Sequence, residues 1–210
     1  MTKRPAVRPE RILAATTNRG KLREITQVLE GLSVELMTLY DLALDQPAPE
    51  EGSTFLDNAR QKSLFYSRST SHLTLAEDSG LEVDYLGGAP GIYSARFSGP
   101  QADDAGNVAK VLGLMHGLPE EKRQARFVCC IVLSRKEKIL TEITGTVEGR
   151  ISLEPRGRNG FGYDPIFFYP PLGRTFAELT PQEKNNVSHR GQALRRMRDF
   201  LTRTLQKGST

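Results

Sequence analysis

The chain has 210 residues, of which 38% are hydrophobic and 26% are charged, and its net charge at pH 7 is +4. These proportions are typical of a globular protein and exclude a disordered or collagen-like chain. The length allows a sizeable hydrophobic core, and the longest apolar run, Phe127–Leu133, is far too short to cross a membrane.

The first half of the chain alternates strands and helices. Apolar runs predict buried strands over residues 11–16, 34–39 and 73–78. Apolar residues at helical spacing and capping residues predict helices over 21–32, 54–68 and 103–118, the last behind an aspartate cap. A glycine-rich loop is expected over 87–99.

The second half is richer in strands. Residues 123–151 form two long β-rich runs hinged at Arg135–Lys138, which predicts a hairpin. A loop with a short strand follows over 156–170, then a short helix over 180–186 capped by Thr180 and a terminal helix over 188–205 capped by Ser188. We therefore predict an α/β protein with a mixed sheet, folded as one domain (1–210) in two lobes, with a ligand cleft between them and a flexible tail at 1–9.

The two cysteines indicate a reducing compartment. Cys129 and Cys130 are neighbours on a predicted strand, so their side chains point to opposite faces and cannot readily form a disulfide. The first ten residues also lack the apolar core of a signal peptide. We expect a cytoplasmic protein.

Residues 16–21 lie between a buried strand and a helix start, where backbone N–H groups and the helix dipole favour an anion. Thr16, Thr17 and Asn18 offer side-chain donors, and Lys21 offers a positive charge. The segment is either a phosphate site or an ordinary capped turn with a solvated lysine.

Three acidic residues in two stretches are considered as metal ligands. Glu77 and Asp78 stand at the predicted end of a buried strand, and Mg²⁺ commonly takes one or two carboxylates together with substrate phosphate oxygens. A polar turn with solvated acids is the alternative. Asp57 follows Thr54 at capping-box spacing, so a helix cap is favoured over a metal ligand there.

Two further stretches suggest recognition of a base. Phe161 and Asp164 lie in a glycine-flexible loop, where an aromatic ring can stack on a base and a carboxylate can accept a ring N–H, although this stretch taken alone favours a simple β-turn closed by Asp-Pro. His189 and Arg190 place positive charge at a helix start, against the dipole preference, which favours an anionic or carbonyl ligand nearby. The later arginines Arg195, Arg196 and Arg198 are interpreted as a solvated face.

Five stretches in order resemble one family, the inosine/xanthosine triphosphate pyrophosphatases, also called dITP/XTP pyrophosphatases. They are TTNRGKLREI, TFLDNARQK, AEDSGLEVDYLGGAPGIYSARFSG, GFGYDPIFF and ELTPQEKNNVSHRGQAL, and the similarity runs from about Arg11 to Leu205. The resemblance implies an elongated mixed sheet with a central cleft between two lobes. It also implies a homodimeric, Mg²⁺-dependent enzyme that hydrolyses ITP, dITP and XTP to the monophosphate and pyrophosphate.

The resemblance also implies roles for individual residues. The triphosphate would be bound by Thr16, Thr17, Asn18, Arg19, Gly20 and Lys21, with Ser79 also touching substrate. Asp78 would bind the metal and accept the proton of the attacking water. The base would be held by Phe161, Gly162, Tyr163 and Asp164, and its 6-oxo group would be read by His189 and Arg190. Lys184 would contact either the phosphates or the base.

Two positions depart from the family pattern. Asp57 stands where the family usually has a metal-associated glutamate, so a water could bridge the gap left by the shorter side chain. Glu77 stands where an aspartate is common, and it would support the metal without binding it.

Two other functions compete with this interpretation. One is a pyrophosphatase for other modified nucleotides, which shares the same phosphate chemistry. The other is a nucleic-acid-binding module, suggested by the pI of 9.1, but the basic residues are dispersed and are not interleaved with aromatic ones. We expect a purine nucleotide and a second copy of the chain as partners, and neither nucleic acid nor a membrane.

Overall fold

The computed structural model describes residues 9–101 and 103–207. In this described part of the chain, seven strands form one sheet in the order β2-β1-β3-β4-β5-β6-β7. Their bounds are β1 Glu10–Ala14, β2 Val34–Thr38, β3 Leu73–Val83, β4 Gln124–Arg135, β5 Lys138–Ile151, β6 Phe167–Tyr169 and β7 Arg174–Thr175. The predicted flexible tail lies outside the described residues, apart from Pro9.

The sheet is mixed, as the sequence predicts. Strand β1 pairs in parallel with β2 and β3, whereas every pairing from β3 through β7 is antiparallel. Short connections join the antiparallel strands β4 and β5, while a helix follows β1 and another precedes β3, which is the connection that parallel neighbours require. The predicted hairpin is confirmed, with Lys136 and Glu137 at positive φ in its turn.

Strand β3 is longer than predicted, because Ser79 and Gly80 continue it. Both pair with β4 through the register Ser79↔Cys129 and Gly80↔Val128. A Cβ at position 80 would stand 2.2 Å from the Ser94 hydroxyl, so this glycine permits close approach of a neighbouring segment. The prediction that Asp78 ends the strand was therefore wrong: Asp78 lies in its middle.

Residues 9–101 and 103–207 contain five α-helices: α1 Arg19–Leu29, α2 Phe55–Ser67, α3 Asp104–Leu114, α4 Pro181–Val187 and α5 His189–Lys207. The predicted N-caps are confirmed: Thr54 caps α2, Thr180 forms a capping box with Glu183 on α4, and the Ser188 hydroxyl accepts the Gly191 N–H at the start of α5. Within the described residues, no helix has the length and apolar character to span a membrane.

The hydrophobic core divides into two main clusters along the sheet. One joins β1, α1 and the central strands to α5 and includes Ile12, Ile25 and Met197. The other lies towards β6 and α3 and includes Val111 and Phe167. This division fits the predicted two lobes; the assignment of residues 1–210 to a single domain stays a prediction.

Arg195 and Arg196 are exposed, as the solvated-face interpretation expected, whereas Arg198 is half-buried. Arg198 donates to the Val28 and Glu30 carbonyls at the end of α1, and Arg195 donates to carbonyls at the end of α4. Unpaired C-terminal carbonyls are the groups that such side chains satisfy. These bonds tie α5 to the ends of α1 and α4.

Candidate functional site

A cavity of about 560 Å³ brings together nearly all of the predicted site residues. The predicted residues that line it are Thr16, Thr17, Asn18, Lys21, Asp78, Ser79, Phe161, Gly162, Tyr163, Asp164, Lys184, His189 and Arg190. They come from both ends of the chain and from the centre of the sheet. Arg19, Gly20 and Asp57 were also predicted but are not among the lining residues.

The turn after β1 is both a helix cap and a cavity wall. Asn18 caps α1 by accepting the Lys21 N–H at 3.0 Å, and its own N–H donates to the Thr16 hydroxyl. The Lys21 side chain is only 16% exposed, and its ammonium pairs with Glu77 at 3.1 Å. The turn is therefore capped, as one interpretation expected, but its lysine is not solvated.

Gly20 acts from behind the cavity wall. A Cβ on this buried residue would stand 2.6 Å from the Phe161 ring, so only glycine lets the ring pack against α1. Arg19 is exposed on the outside of the turn. Gly20 thus positions the aromatic ring that the resemblance assigns to the base.

Asp78 is exposed to the cavity because β1 ends beside it. The β1–β3 ladder stops at Ala14↔Leu75, whereas β3 continues for eight residues along β4. The Asp78 carboxylate accepts hydrogen bonds from the Asn58 amide at 3.0 Å and from the Ser79 N–H at 2.9 Å. Burial raises the pKa of Asp78, and the neighbouring lysines only partly oppose that change.

Glu77 points to the other face of β3, into a buried ion-pair network. The Arg190 guanidinium contacts its carboxylate at 2.9 Å, and Lys21 contacts it as well. Burial alone would raise the pKa of Glu77, but the attraction of Arg190 and Lys21 prevails and holds it well below its usual range. Glu77 is accordingly an anionic anchor for two cations.

The network also contains Glu24, which sequence reasoning missed. This α1 residue accepts hydrogen bonds from Lys184 at 3.0 Å and from Arg190 at 2.7 Å. The sequence around Glu24 does not indicate a site residue, because its partners Lys184 and Arg190 lie about 160 residues away along the chain. The acidic partners explain how positive charge is tolerated at the start of α5.

Lys62 is a second residue that the sequence did not reveal. It lies on α2, lines the cavity, is 15% exposed, and its ammonium donates to the Glu77 carbonyl at 3.3 Å. Burial raises the pKa of Asp78, and the positive charges of Lys21 and Lys62 partly oppose that rise. Asp78 therefore lies within the field of two lysines.

Asp57 does not enter the cavity from its position on α2. Its N–H donates to the Thr54 hydroxyl, and its carboxylate accepts the Thr54 hydroxyl proton at 2.7 Å and pairs with Arg60. The cap by Thr54 is thus confirmed. A metal role for Asp57 stays a prediction, whereas its neighbour Asn58 reaches Asp78 directly.

Phe161 and Asp164 also line the cavity. Asp164 is 2% exposed and accepts the Phe161 N–H at 2.9 Å and the Lys184 ammonium at 2.6 Å. Burial raises the pKa of Asp164, and the Lys184 charge offsets this only in part. The Lys184 ammonium also lies 4.6 Å from the centre of the Phe161 ring.

His189 is a buried neutral imidazole. It stacks on Phe127 with ring centres 4.6 Å apart, and its Nδ1 has no hydrogen-bond partner among the described residues. Burial lowers its pKa well below 6.5, and the nearby charges of Arg190 and Lys184 lower it further. A buried nitrogen without a partner is costly, so this position favours a ligand or water that supplies one.

The neutral state of His189 predicts a pH-dependent stability. The unfolded histidine binds a proton near pH 6.5 and the folded one does not, so stability is complete above that pH and falls as the pH drops below it. We expect this group to cost about 1.4 kcal/mol of unfolding free energy between pH 7.5 and 5.5. Urea unfolding of the His189→Gln variant should lack that loss, whereas a variant at the exposed His116 should keep it. An unchanged slope in His189→Gln would contradict the assignment.

Comparison with known proteins identifies the family of this chain. The Ham1 family model matches residues 12–200. The chain belongs to the Ham1 family. This confirms the family predicted from the five sequence stretches, because two curated relatives carry the same name, dITP/XTP pyrophosphatase. The protein from Escherichia coli strain K12 is 46% identical over 91% of this chain and 98% of its own length. The protein from Desulforamulus reducens is 42% identical over 92% and 96%.

Solved Ham1 structures have the same fold. A HAM1 protein from Coxiella burnetii superposes with a TM-score of 0.85 at 41% identity, covering 92% of this chain and 99% of that one. A nucleoside-triphosphatase / dITP/XTP pyrophosphatase from Mycobacterium abscessus gives a TM-score of 0.72 at 45% identity, covering 89% and 97%. The predicted mixed α/β sheet is therefore a shared Ham1 architecture.

Proposed function

We propose that this protein is a nucleoside triphosphate pyrophosphatase that converts dITP, ITP and XTP to the monophosphate and pyrophosphate. The observation that carries the proposal is one cavity that is lined by Asp78, Lys21 and Lys62 and also by Phe161 and Asp164. The group around Asp78, which we call the phosphate end, has the charge that a triphosphate needs. The group around Phe161, which we call the base end, offers a ring and hydrogen-bonding groups for a base. The names of the Ham1 relatives support the same substrates.

The chain's own residues supply the proton acceptor and the phosphate contacts. The Asp78 carboxylate lines the cavity and accepts the proton of an attacking water. Lys21 and Lys62 line the same cavity and bind phosphate oxygens as negative charge develops on the leaving pyrophosphate. The N–H groups at the start of α1 add further donors on the same wall.

Asp78 is also the residue we propose to hold a divalent ion. Ham1 pyrophosphatases generally use a divalent metal, and we propose Mg²⁺. Among the described residues, no three His, Cys, Asp or Glu side chains are grouped so that they could hold a metal ion by themselves. Mg²⁺ can instead be held by one or two carboxylates together with substrate phosphates. The bound ion would neutralise phosphate charge and lower the pKa of the attacking water.

The base end can distinguish 6-oxopurines from adenine. Hypoxanthine and xanthine present a carbonyl acceptor beside an N1–H donor, whereas adenine presents an amino donor beside a bare nitrogen. The neutral His189 has one donor N–H, and Asp164 is an acceptor. Most Arg190 donors already bind Glu77, Glu24 and Ser79, so we propose that Arg190 orients this end and that His189 reads the carbonyl.

Partners and location complete the proposal. We propose a homodimer, from the resemblance of the motifs, and a cytoplasmic location, supported by the two buried cysteines, which are both free thiols. Nucleic acid and membranes have no part in this function. A pyrophosphatase for other modified nucleotides remains the alternative, because it would use the same phosphate end.

A substrate panel tests the function. With dITP or XTP and Mg²⁺ we expect stoichiometric pyrophosphate and monophosphate, and we expect dATP to be nearly inert because mispaired polar groups can discriminate by ~10⁴-fold. The product should be identified separately as pyrophosphate or orthophosphate. Release of orthophosphate, or equal turnover of dATP, would overturn the proposal, and a preference for modified pyrimidines would favour the alternative.

A further inference from the structure

Asp104 links the first turn of α3 to the base loop, which we define as residues 159–164. Its carboxylate lines the cavity and accepts the Gly162 N–H at 2.6 Å. The two residues are 58 positions apart along the chain, so the bond is a tertiary contact and not a turn closing on itself. A hydrogen bond to a charged acceptor is stronger than one between neutral groups. Asp104 can therefore restrain the loop that carries Phe161.

Helix α3 does not depend on Asp104 for its cap. Asp103 is the N-cap, and its side chain accepts the Gly106 N–H at 2.7 Å. The buried Asn107 side chain holds the same turn by accepting the Ser98 N–H at 2.8 Å. Asp104 thus extends towards the base loop from a turn that other bonds keep in place.

Asp104 and Asp164 hold the two peptide groups that flank Phe161. Asp164 accepts the Phe161 N–H at 2.9 Å, and Asp104 accepts the next N–H along the chain, that of Gly162. Peptide groups are planar, so the orientation of the two planes around a residue sets its φ and ψ. Because both planes are held, the direction in which the Phe161 side chain leaves the backbone is set too. That ring packs against Gly20.

The chain around Phe161 needs such restraints. Gly160 and Gly162 flank it and have φ of +77° and +62°. Glycine has more conformational freedom to lose on folding than any other residue, so the bonds that order this segment matter. Asp164 is buried, and its loss would disturb the interior, whereas Asp104 is exposed and can be changed separately.

We propose that Asp104 is a positioning residue, which holds the Phe161 ring in place for the base without contacting the base itself. Without the bond to Gly162, the ring must be ordered during binding, and that ordering lowers the affinity for the base. The phosphate end is unaffected, because Lys21 and Lys62 lie on α1 and α2. This inference rests on the proposed function only in taking the Phe161 group as the base end.

Calorimetric binding of dIMP and of inorganic tripolyphosphate, each in EDTA, tests the positioning role without turnover. Asp104→Ala should bind dIMP roughly fivefold more weakly than the wild type, since a hydrogen bond to a charged group is lost. Tripolyphosphate has no base and should bind both proteins equally. Asp103→Asn is the matched control, because it removes one negative charge at the adjacent residue and keeps a good N-cap. It should bind dIMP as the wild type does.

Asp104→Asn separates the hydrogen bond from the charge, because its amide oxygen can still accept the Gly162 N–H. It should recover most of the dIMP affinity that Asp104→Ala loses. The positioning role would be overturned by unchanged dIMP binding in Asp104→Ala, by an equal weakening of tripolyphosphate binding, or by an equal loss in Asp103→Asn. No recovery in Asp104→Asn, or no dIMP binding by the wild type, would also overturn it. Release of orthophosphate from dITP would instead overturn the proposed pyrophosphatase activity, and this binding experiment does not depend on that activity.

Discussion

Asp78→Asn should lower kcat for dITP by about 10²- to 10⁴-fold while the fold is kept, because the amide cannot accept the proton of the attacking water. The substituted side chain has almost the same shape, and it removes a carboxylate whose pKa is raised by burial. We therefore expect an unfolding free energy equal to or higher than that of the wild type. Steady-state kinetics with pyrophosphate detection, together with urea unfolding, measure both quantities.

Asp199→Asn is the control for this experiment, since Asp199 is exposed on α5 outside the cavity. It should keep full activity. Wild-type turnover in Asp78→Asn would show that Asp78 is not the proton acceptor. A loss of stability in parallel with the loss of activity would instead make its role structural.

Arg190→Met should lower the unfolding free energy by about 3–5 kcal/mol, because it breaks buried ion pairs on one side only. Glu77 is 1% exposed and Glu24 is largely buried, so both carboxylates would lose a charged partner away from water. Urea unfolding at pH 7 measures the change. Adding Glu77→Gln to Arg190→Met should restore part of the stability, since it removes one of the uncompensated charges.

Arg196→Met provides the matched control for an arginine on the same helix. Arg196 is exposed and donates to the Thr144 carbonyl, so its loss should change the unfolding free energy by less than about 0.5 kcal/mol. Equal effects at positions 190 and 196 would contradict the importance of the buried network. A double variant less stable than Arg190→Met alone would do the same.

Local features of the fold were predictable from the sequence. Capping residues such as Thr54, Thr180 and Ser188 satisfy backbone groups within three residues of themselves, so their effect can be seen in the sequence. The β4–β5 hairpin likewise follows from alternation and a short turn. Strand β3 was cut short because Ser79-Gly80 resembles a turn, whereas pairing with β4 and the close approach of Ser94 decide the outcome.

The candidate site was predictable where motif residues themselves line the cavity. What the sequence could not give was the pairing among them, since Arg190 meets Glu24 and Glu77 only after distant elements pack together. Lys62 was missed for the same reason, as it reads as one more polar residue on an amphipathic helix. Arg198 resembled a solvent-facing charge because its carbonyl partners lie at the end of another helix.

The network around Arg190 also has a consequence for biosynthesis. Glu24 and Glu77 lie in the first half of the chain, whereas Arg190 lies at the start of the last helix. The two carboxylates can therefore pair with the Arg190 guanidinium only after that helix has been translated. Ribosomes add about 5–20 residues per second, which leaves Glu24 without this partner for several seconds at least. A nascent chain can form the β1–α1 unit early, yet nucleotide binding must await the docking of α5.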